Sequence, residues 1–136
     1  MSSVVSALLV DTHIFFRWQA EPAKLTRPQL RALRHADNRG IPVSISAVTL
    51  WELALLAVRG RIKPNGPLEA WLTDIVSPPI EVLPITPEIA ATGALLGSGF
   101  HNDPSDRIIV ATARCYHLTL VTSDQRIRDW GGVSVI

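Results

Sequence analysis

The chain has 136 residues, 47% hydrophobic and 18% charged, with a formal net charge of +1. That length suits one ordinary domain with a real core, and the balance excludes a disordered chain. A nearly neutral charge gives no global nucleic-acid signal, although eleven of the thirteen basic residues are Arg, whose planar fork suits carboxylates and phosphates.

The N-terminal MSSVVSALLVD carries an apolar run without a basic leader region and soon meets an acid. It predicts a strand over 4–10 instead of a signal peptide. No other run is long enough to span a membrane, so a soluble, cytoplasmic protein is expected. Thr12 to Trp18 follows as a short helix. LTRPQLRALRHADNRG places Leu30 and Leu33 on one face, an Arg-rich surface opposite and Gly40 at the stop, which predicts a second helix. IPVSIS (41–46) is a short strand, and Ser46 can cap the helix AVTLWELALLAVRG (47–60). RIKPNGP is a loop by its Pro and Gly content.

Leu68 to Val76 is helical, SPP breaks it, and IEVLPI (80–85) is a strand. Pro87 opens a helix over PEIAATGALLG, GSGFHN is a loop, and Pro104 to His117 is the next helix. LTLVT (118–122) is a strand, Asp124 to Trp130 a short helical turn, and GVSVI a last strand. Strands alternating with helices predict an α/β fold: one domain over 1–136, with a mostly parallel sheet flanked by helices. There is no Walker loop, and the Gly-x-Gly at Gly97 to Gly99 does not follow a strand, so nucleotide cofactors are not expected. The single cysteine, Cys115, excludes an internal disulfide and a cysteine-cluster metal site, and its apolar surroundings predict a buried small hydrophobe.

Ligands of an open α/β sheet bind beyond the carboxyl ends of its strands. Four acids stand there. Asp11 ends the first strand, Glu52 lies in the second turn of the helix after the second strand, Asp106 in the first turn of the helix opened by Asp103, and Asp124 just after LTLVT. Each has a structural alternative. Asp11, Asp103 and Asp124 suit helix N-caps, Pro104 a first helical position, and Asp106 the acid of a capping box. Glu52 is harder to explain, because it interrupts a helix that is apolar nearly all round. Four carboxylates in one pocket would repel, and a hard divalent cation, Mg²⁺ or Mn²⁺, neutralises them economically. Such a cation activates water and stabilises a leaving oxygen, which points to phosphodiester hydrolysis. The scattered histidines and lone cysteine argue against zinc.

LLVDTHIFFRW, SAVTLWELALLAVRGRI, HNDPSDRIIVATA and LTLVTSDQRIRDW resemble, in order and spacing, the motifs of PIN-domain proteins, and more narrowly VapC-type toxins of bacterial toxin–antitoxin pairs. The resemblance covers nearly the whole chain. It implies a PIN-like α/β/α sandwich and a Mg²⁺- or Mn²⁺-dependent ribonuclease acting on RNA. It also implies a cognate antitoxin that holds the enzyme inactive, and often a homodimer. By motif position, Asp11, Glu52, Asp106 and Asp124 match the family's metal-binding acids, and Asp103 a frequent accessory aspartate. Asn102 and Ser105 stand where the family usually has an Arg and an aromatic, which bears on substrate contacts and leaves the carboxylates intact.

Other residues have divided readings. Thr12 and Thr122 are placed to hydrogen-bond the acids or a metal-held water, or to cap and pack. Arg107 is placed to pair with phosphate or carboxylate, or to serve structure. His13 and His101 flank the acids, where a lone histidine is more often structural than a proton-transfer group, and Arg27, Arg31 and Arg34 stripe one helix face toward solvent, RNA or an acidic antitoxin segment. The four tryptophans suit core or dimer contacts better than base stacking. A receiver-type phosphoacceptor would need a lysine at the site, but Lys24 and Lys63 follow no late strand. A DxD phosphatase would need an acid where His13 stands. A non-catalytic interaction module of the same fold is the stronger rival.

Overall fold

The computed structural model describes residues 7–136. In chain order the elements are β1 (Leu8–Val10), α1 (Thr12–Ala20), a 3₁₀ turn (Pro22–Lys24), α2 (Arg27–Asn38), β2 (Val43–Ser46), α3 (Ala47–Val58), α4 (Leu68–Ile75), β3 (Ile80–Leu83), α5 (Pro87–Ala94), α6 (Pro104–Tyr116), β4 (Thr119–Val121) and α7 (Gln125–Trp130). The four strands pair in parallel in the order β3-β2-β1-β4. The α/β class and the parallel sheet expected from the sequence are both present.

Strand alternation builds two layers of core. Leu8 and Val10 of β1, Val43 and Ile45 of β2 and Val121 of β4 pack with α1, α2 and α3 on one face. Leu9 and Leu120 point the other way, into Phe100, Ile109, Val110, Ala113 and Ile127. A strand's period of two requires this division when helices cover both faces. Each fully buried aliphatic side chain contributes about 1.5–3 kcal/mol over its exposed state.

Local signals set the helix starts. Asp11, Thr26, Ser46, Thr86, Asp103 and Asp124 each accept a backbone N–H from the first turn of the helix they precede. Thr26 forms a full capping box with Gln29.

Several boundaries differ from expectation. Positions 4–6 of the first predicted strand lie outside the described residues. β3 stops at Leu83, before Pro84, which has no N–H for a ladder. α5 ends at Ala94, and Leu95 caps it by returning its N–H to the carbonyl of Ala91. The expected last strand is one parallel bridge, Val135 beside Leu120. Gly131 at φ 73° turns the chain after α7, so only the final residues run alongside β4.

Cys115 is only half-buried, with its Sγ 3.6 Å from the Thr92 hydroxyl, because its face of α6 looks past α5 toward solvent. On α3, Trp51 is 63% and Val58 75% exposed, so the apolar character of that helix exceeds what this chain buries. Trp18, Trp71 and Trp130 pack against the two cores. Among the described residues, no helix is long and apolar enough to cross a membrane.

Candidate active site

The strand order places the topological switch between β1 and β4, because the chain runs from β1 through β2 to β3 on one side and then crosses back to lay β4 on the other side of β1. Clefts at such switch points are where open α/β sheets bind ligands. A cavity of about 280 Å³ opens there, and Asp11, Glu52, Asp103, Asp106 and Asp124 all line it.

Asp11 follows β1 directly and is 7% exposed. Its Oδ1 accepts the N–H of Ile14 at 2.8 Å, and its Oδ2 accepts the Thr122 hydroxyl at 2.5 Å. Burial pushes its carboxyl above the ordinary value, and these two bonds oppose the push. Thr122 also accepts the backbone N–H of Asp124 at 3.1 Å. One hydroxyl thereby joins the ends of β1 and β4 to the start of α7.

Glu52 reaches in from α3. The Thr12 hydroxyl donates to its Oε1 at 2.5 Å and lies 3.0 Å from the Thr49 hydroxyl. Thr12 has a single proton, given to Glu52, so Thr49 donates to Thr12. Burial raises the Glu52 carboxyl, and nearby Asp106 and Asp103 add to the rise.

Asp106 sits in the first turn of α6, and its Oδ2 lies 2.7 Å from Nε2 of His101. Burial raises its carboxyl too, against the hydrogen bond from His101. Asp124 behaves differently. Arg126 grips it with Nε at 3.3 Å and Nη2 at 3.0 Å, and this contact holds its carboxyl below the ordinary value. The same Nη2 stands 3.6 Å from Oδ2 of Asp106.

Asp103 is exposed and bonds the backbone N–H of Asp106 through Oδ1 at 3.1 Å. It thereby caps α6 while facing the cavity. Among the described residues, Arg107 makes no ion pair with a carboxylate. Its guanidinium donates to the carbonyls of His101 (3.0 Å), Gly93 (3.2 Å), Gly97 (2.8 Å) and Phe100 (2.9 Å). The loop between α5 and α6 offers three of these oxygens and Gly93 of α5 the fourth. Arg107 ties down the loop that presents His101, whose ring also stacks on Phe100 at 4.4 Å.

His13 lines the cavity as an exposed residue. Arg27, Arg31 and Arg34 line a separate surface groove on α2. That helix is anchored near the site by Gln29, whose Nε2 donates to the Thr122 carbonyl at 3.4 Å and to the Ser123 hydroxyl at 3.1 Å. Arg126, Arg17 and Gln29 belong to the site or its support and were not singled out in the sequence. The signal for Arg126 was its place two residues after a capping aspartate, within reach of that carboxylate.

The donor set fits a hard divalent cation: several carboxylates with free lone pairs share one cavity, three of them raised by burial. Among the described residues, the tight cluster is His101, Asp106 and Asp124, with one ligand atom from each within 4.8 Å of the others. Asp11 and Glu52 share the cavity and lie outside that cluster, and His101 stands inside it although it was expected only to flank the acids.

Residues 8–133 match the PIN domain family. The chain is 37% identical over 125 residues to Ribonuclease VapC22 of Mycobacterium tuberculosis, covering 92% of each protein. Its fold resembles that of a chain in DNA-bound VapBC from Salmonella typhimurium, with a TM-score of 0.69 at 21% identity over 97% and 98% of the two chains. It also resembles a chain in a toxin–antitoxin complex from Klebsiella pneumoniae, with a TM-score of 0.63 at 22% identity over 96% of both. At those identities the structures speak for the fold alone, while the sequence relative and the matched domain speak for descent. The chain belongs to the PIN-domain family, and within it to the VapC type.

Proposed function

We propose that the protein is a Mg²⁺- or Mn²⁺-dependent endoribonuclease that acts as the toxin of a toxin–antitoxin pair, with Asp11, Glu52, Asp106 and Asp124 as its metal-holding acids. The observation that carries this reading is the convergence of those four carboxylates, from four chain segments, on one cavity at the β1/β4 switch. The relationship to Ribonuclease VapC22 supports RNA as the substrate. The fold shared with chains of toxin–antitoxin complexes supports an antitoxin as partner. The resemblance to the family also supports a homodimer.

When bound, a divalent cation polarises a phosphoryl oxygen and yields a strong oxygen nucleophile near neutral pH. The chain's own residues prepare the place for it. Thr122 and Thr12 hold Asp11 and Glu52 in place at the cavity by hydroxyl bonds. Asp124 is the readily ionised acid, whereas burial makes the other three costly to ionise without a counter-charge. Arg17 and Arg126 line the cavity and offer forked donors to an anionic backbone. Arg107 serves the site indirectly, by holding the His101 loop.

The test is cleavage of a mixed RNA pool, including transfer RNA, by pure protein with Mn²⁺ or Mg²⁺, beside Asp106→Asn purified identically. Metal-dependent cleavage lost in the variant is expected. Equal activity of the two proteins would assign the cleavage to a contaminant and overturn the reading. Cation binding without any cleavage would favour the non-catalytic module.

A further inference from the structure

Arg126 occupies the first turn of α7, directly over the carboxylate that caps the same helix. Among the described residues, its guanidinium makes ion pairs only with Asp124 and Asp106. The side chain is 62% exposed, while those of Asp106 and Asp124 are 20% and 25% exposed. The guanidinium thus lies on the more exposed side of the two acids and lines the same cavity. Among the described residues, no other side chain hydrogen-bonds this guanidinium.

These oxygens are also the ones a divalent cation needs. Asp106 and Asp124 belong to the tight cluster with His101, and a metal there would take lone pairs of Asp124 that now accept N–H groups from Arg126, beside the longer ion pair to Asp106. A guanidinium offers donors and no lone pair, so it cannot become a ligand. It also carries a positive charge that repels an arriving cation.

We propose that Arg126 is a built-in competitor of the divalent cation. It neutralises Asp106 and Asp124 when the site is metal-free, and its displacement sets the affinity at which metal loads. The inference rests on the metal reading of the site. An exposed ion pair is weak, so the brake is modest. Its displacement requires only rotation of a solvent-facing side chain, with no change in the fold.

The experiment is calorimetric titration of the purified chain with Mn²⁺ at low ionic strength, comparing wild type, Arg126→Gln, Arg126→Lys and Arg31→Gln. Arg126→Gln removes the charge at the site, and Arg31→Gln removes the same charge on α2. We expect Arg126→Gln to bind Mn²⁺ about twofold to fivefold more tightly than wild type. Arg126→Lys should fall between them, since it keeps a charge and loses the fork. Arg31→Gln should match wild type. The gain should shrink at high salt, which screens exposed pairs. Melting curves give a second readout: without metal Arg126→Gln melts below wild type, and Mn²⁺ raises its melting temperature by more. Equal or weaker Mn²⁺ binding by a folded Arg126→Gln protein, while wild type binds, would overturn the competitor role and leave the metal site standing. The same gain in Arg31→Gln would overturn it as well, assigning the effect to net charge. Absence of Mn²⁺ binding in every protein would overturn both the competitor and the metal reading.

Discussion

The hydroxyl of Thr122, at the end of β4, donates to Oδ2 of Asp11, at the end of β1, across 111 positions of sequence. The bond closes the sheet edge at its switch point and fixes the orientation of the most buried acid in the cavity. The same oxygen accepts the N–H of Asp124, so one residue sets the positions of two carboxylates.

Removing that hydroxyl while keeping the shape is therefore informative. A hydrogen bond to a charged group contributes about 1.5–3 kcal/mol, and Thr122→Val should destabilise the fold by about that amount, measured by urea unfolding. RNA cleavage should fall with it. Thr122→Ser restores the hydroxyl and should recover most of both. A Thr122→Val protein as stable and active as wild type would show that Asp11 is held by Ile14 alone.

The acids also predict how stability depends on pH. Burial raises the carboxyls of Asp11, Glu52 and Asp106 above their ordinary values of 3.8, 4.5 and 3.8, while Arg126 lowers that of Asp124 below 3.8. Between its unfolded and raised folded pKa, an acid binds more protons folded than unfolded, so stability falls as pH rises through that window. The contribution of the three raised acids is thus fully present below their ordinary values and lost above their raised ones. Asp124 has the opposite sign: its contribution is present above 3.8 and lost as pH falls through its lowered pKa. In metal-free buffer at mildly alkaline pH, Asp106→Asn should melt about 2–4 °C above wild type, and the gap should close near pH 4. Mn²⁺ should raise the melting temperature of wild type and much less that of the variant. A variant melting lower than wild type at alkaline pH would mean that His101 and Arg126 more than offset the burial of Asp106.

Arg107 offers a third test. Its four bonds to backbone carbonyls span Gly93 to His101, a geometry that a lysine ammonium cannot reproduce. Arg107→Lys should cost about 2–4 kcal/mol in chemical unfolding, near the range for hydrogen bonds to charged groups. It should also loosen His101, visible as exchange broadening of its ring resonances. A change in RNA affinity without a change in stability or in the His101 signals would instead point to direct substrate contact.

Much of this molecule was legible in the residues. The apolar runs at Leu8–Val10 and Thr119–Val121 are short and β-branched or leucine-rich because both faces of the sheet are covered. The caps Asp11, Ser46, Asp103 and Asp124 sit next to the helices they start, so neighbouring residues suffice to reveal them. Parallel strands then force the acids that follow them onto one edge. Local chemistry determined the elements, their direction and the side of the sheet that carries the carboxylates.

Tertiary structure decided what the long, flexible groups do there. The order β3-β2-β1-β4 puts Asp11 beside Thr122, which spacing along the chain does not specify. Arg107, next to Asp106 in sequence, turns away to a loop whose carbonyls exist as a set only once α5 and α6 have packed. Arg126 instead turns toward the acids, and His101 joins their cluster. A guanidinium or imidazole at the end of several rotatable bonds takes whichever acceptors the fold brings within reach, and those come from distant parts of the chain.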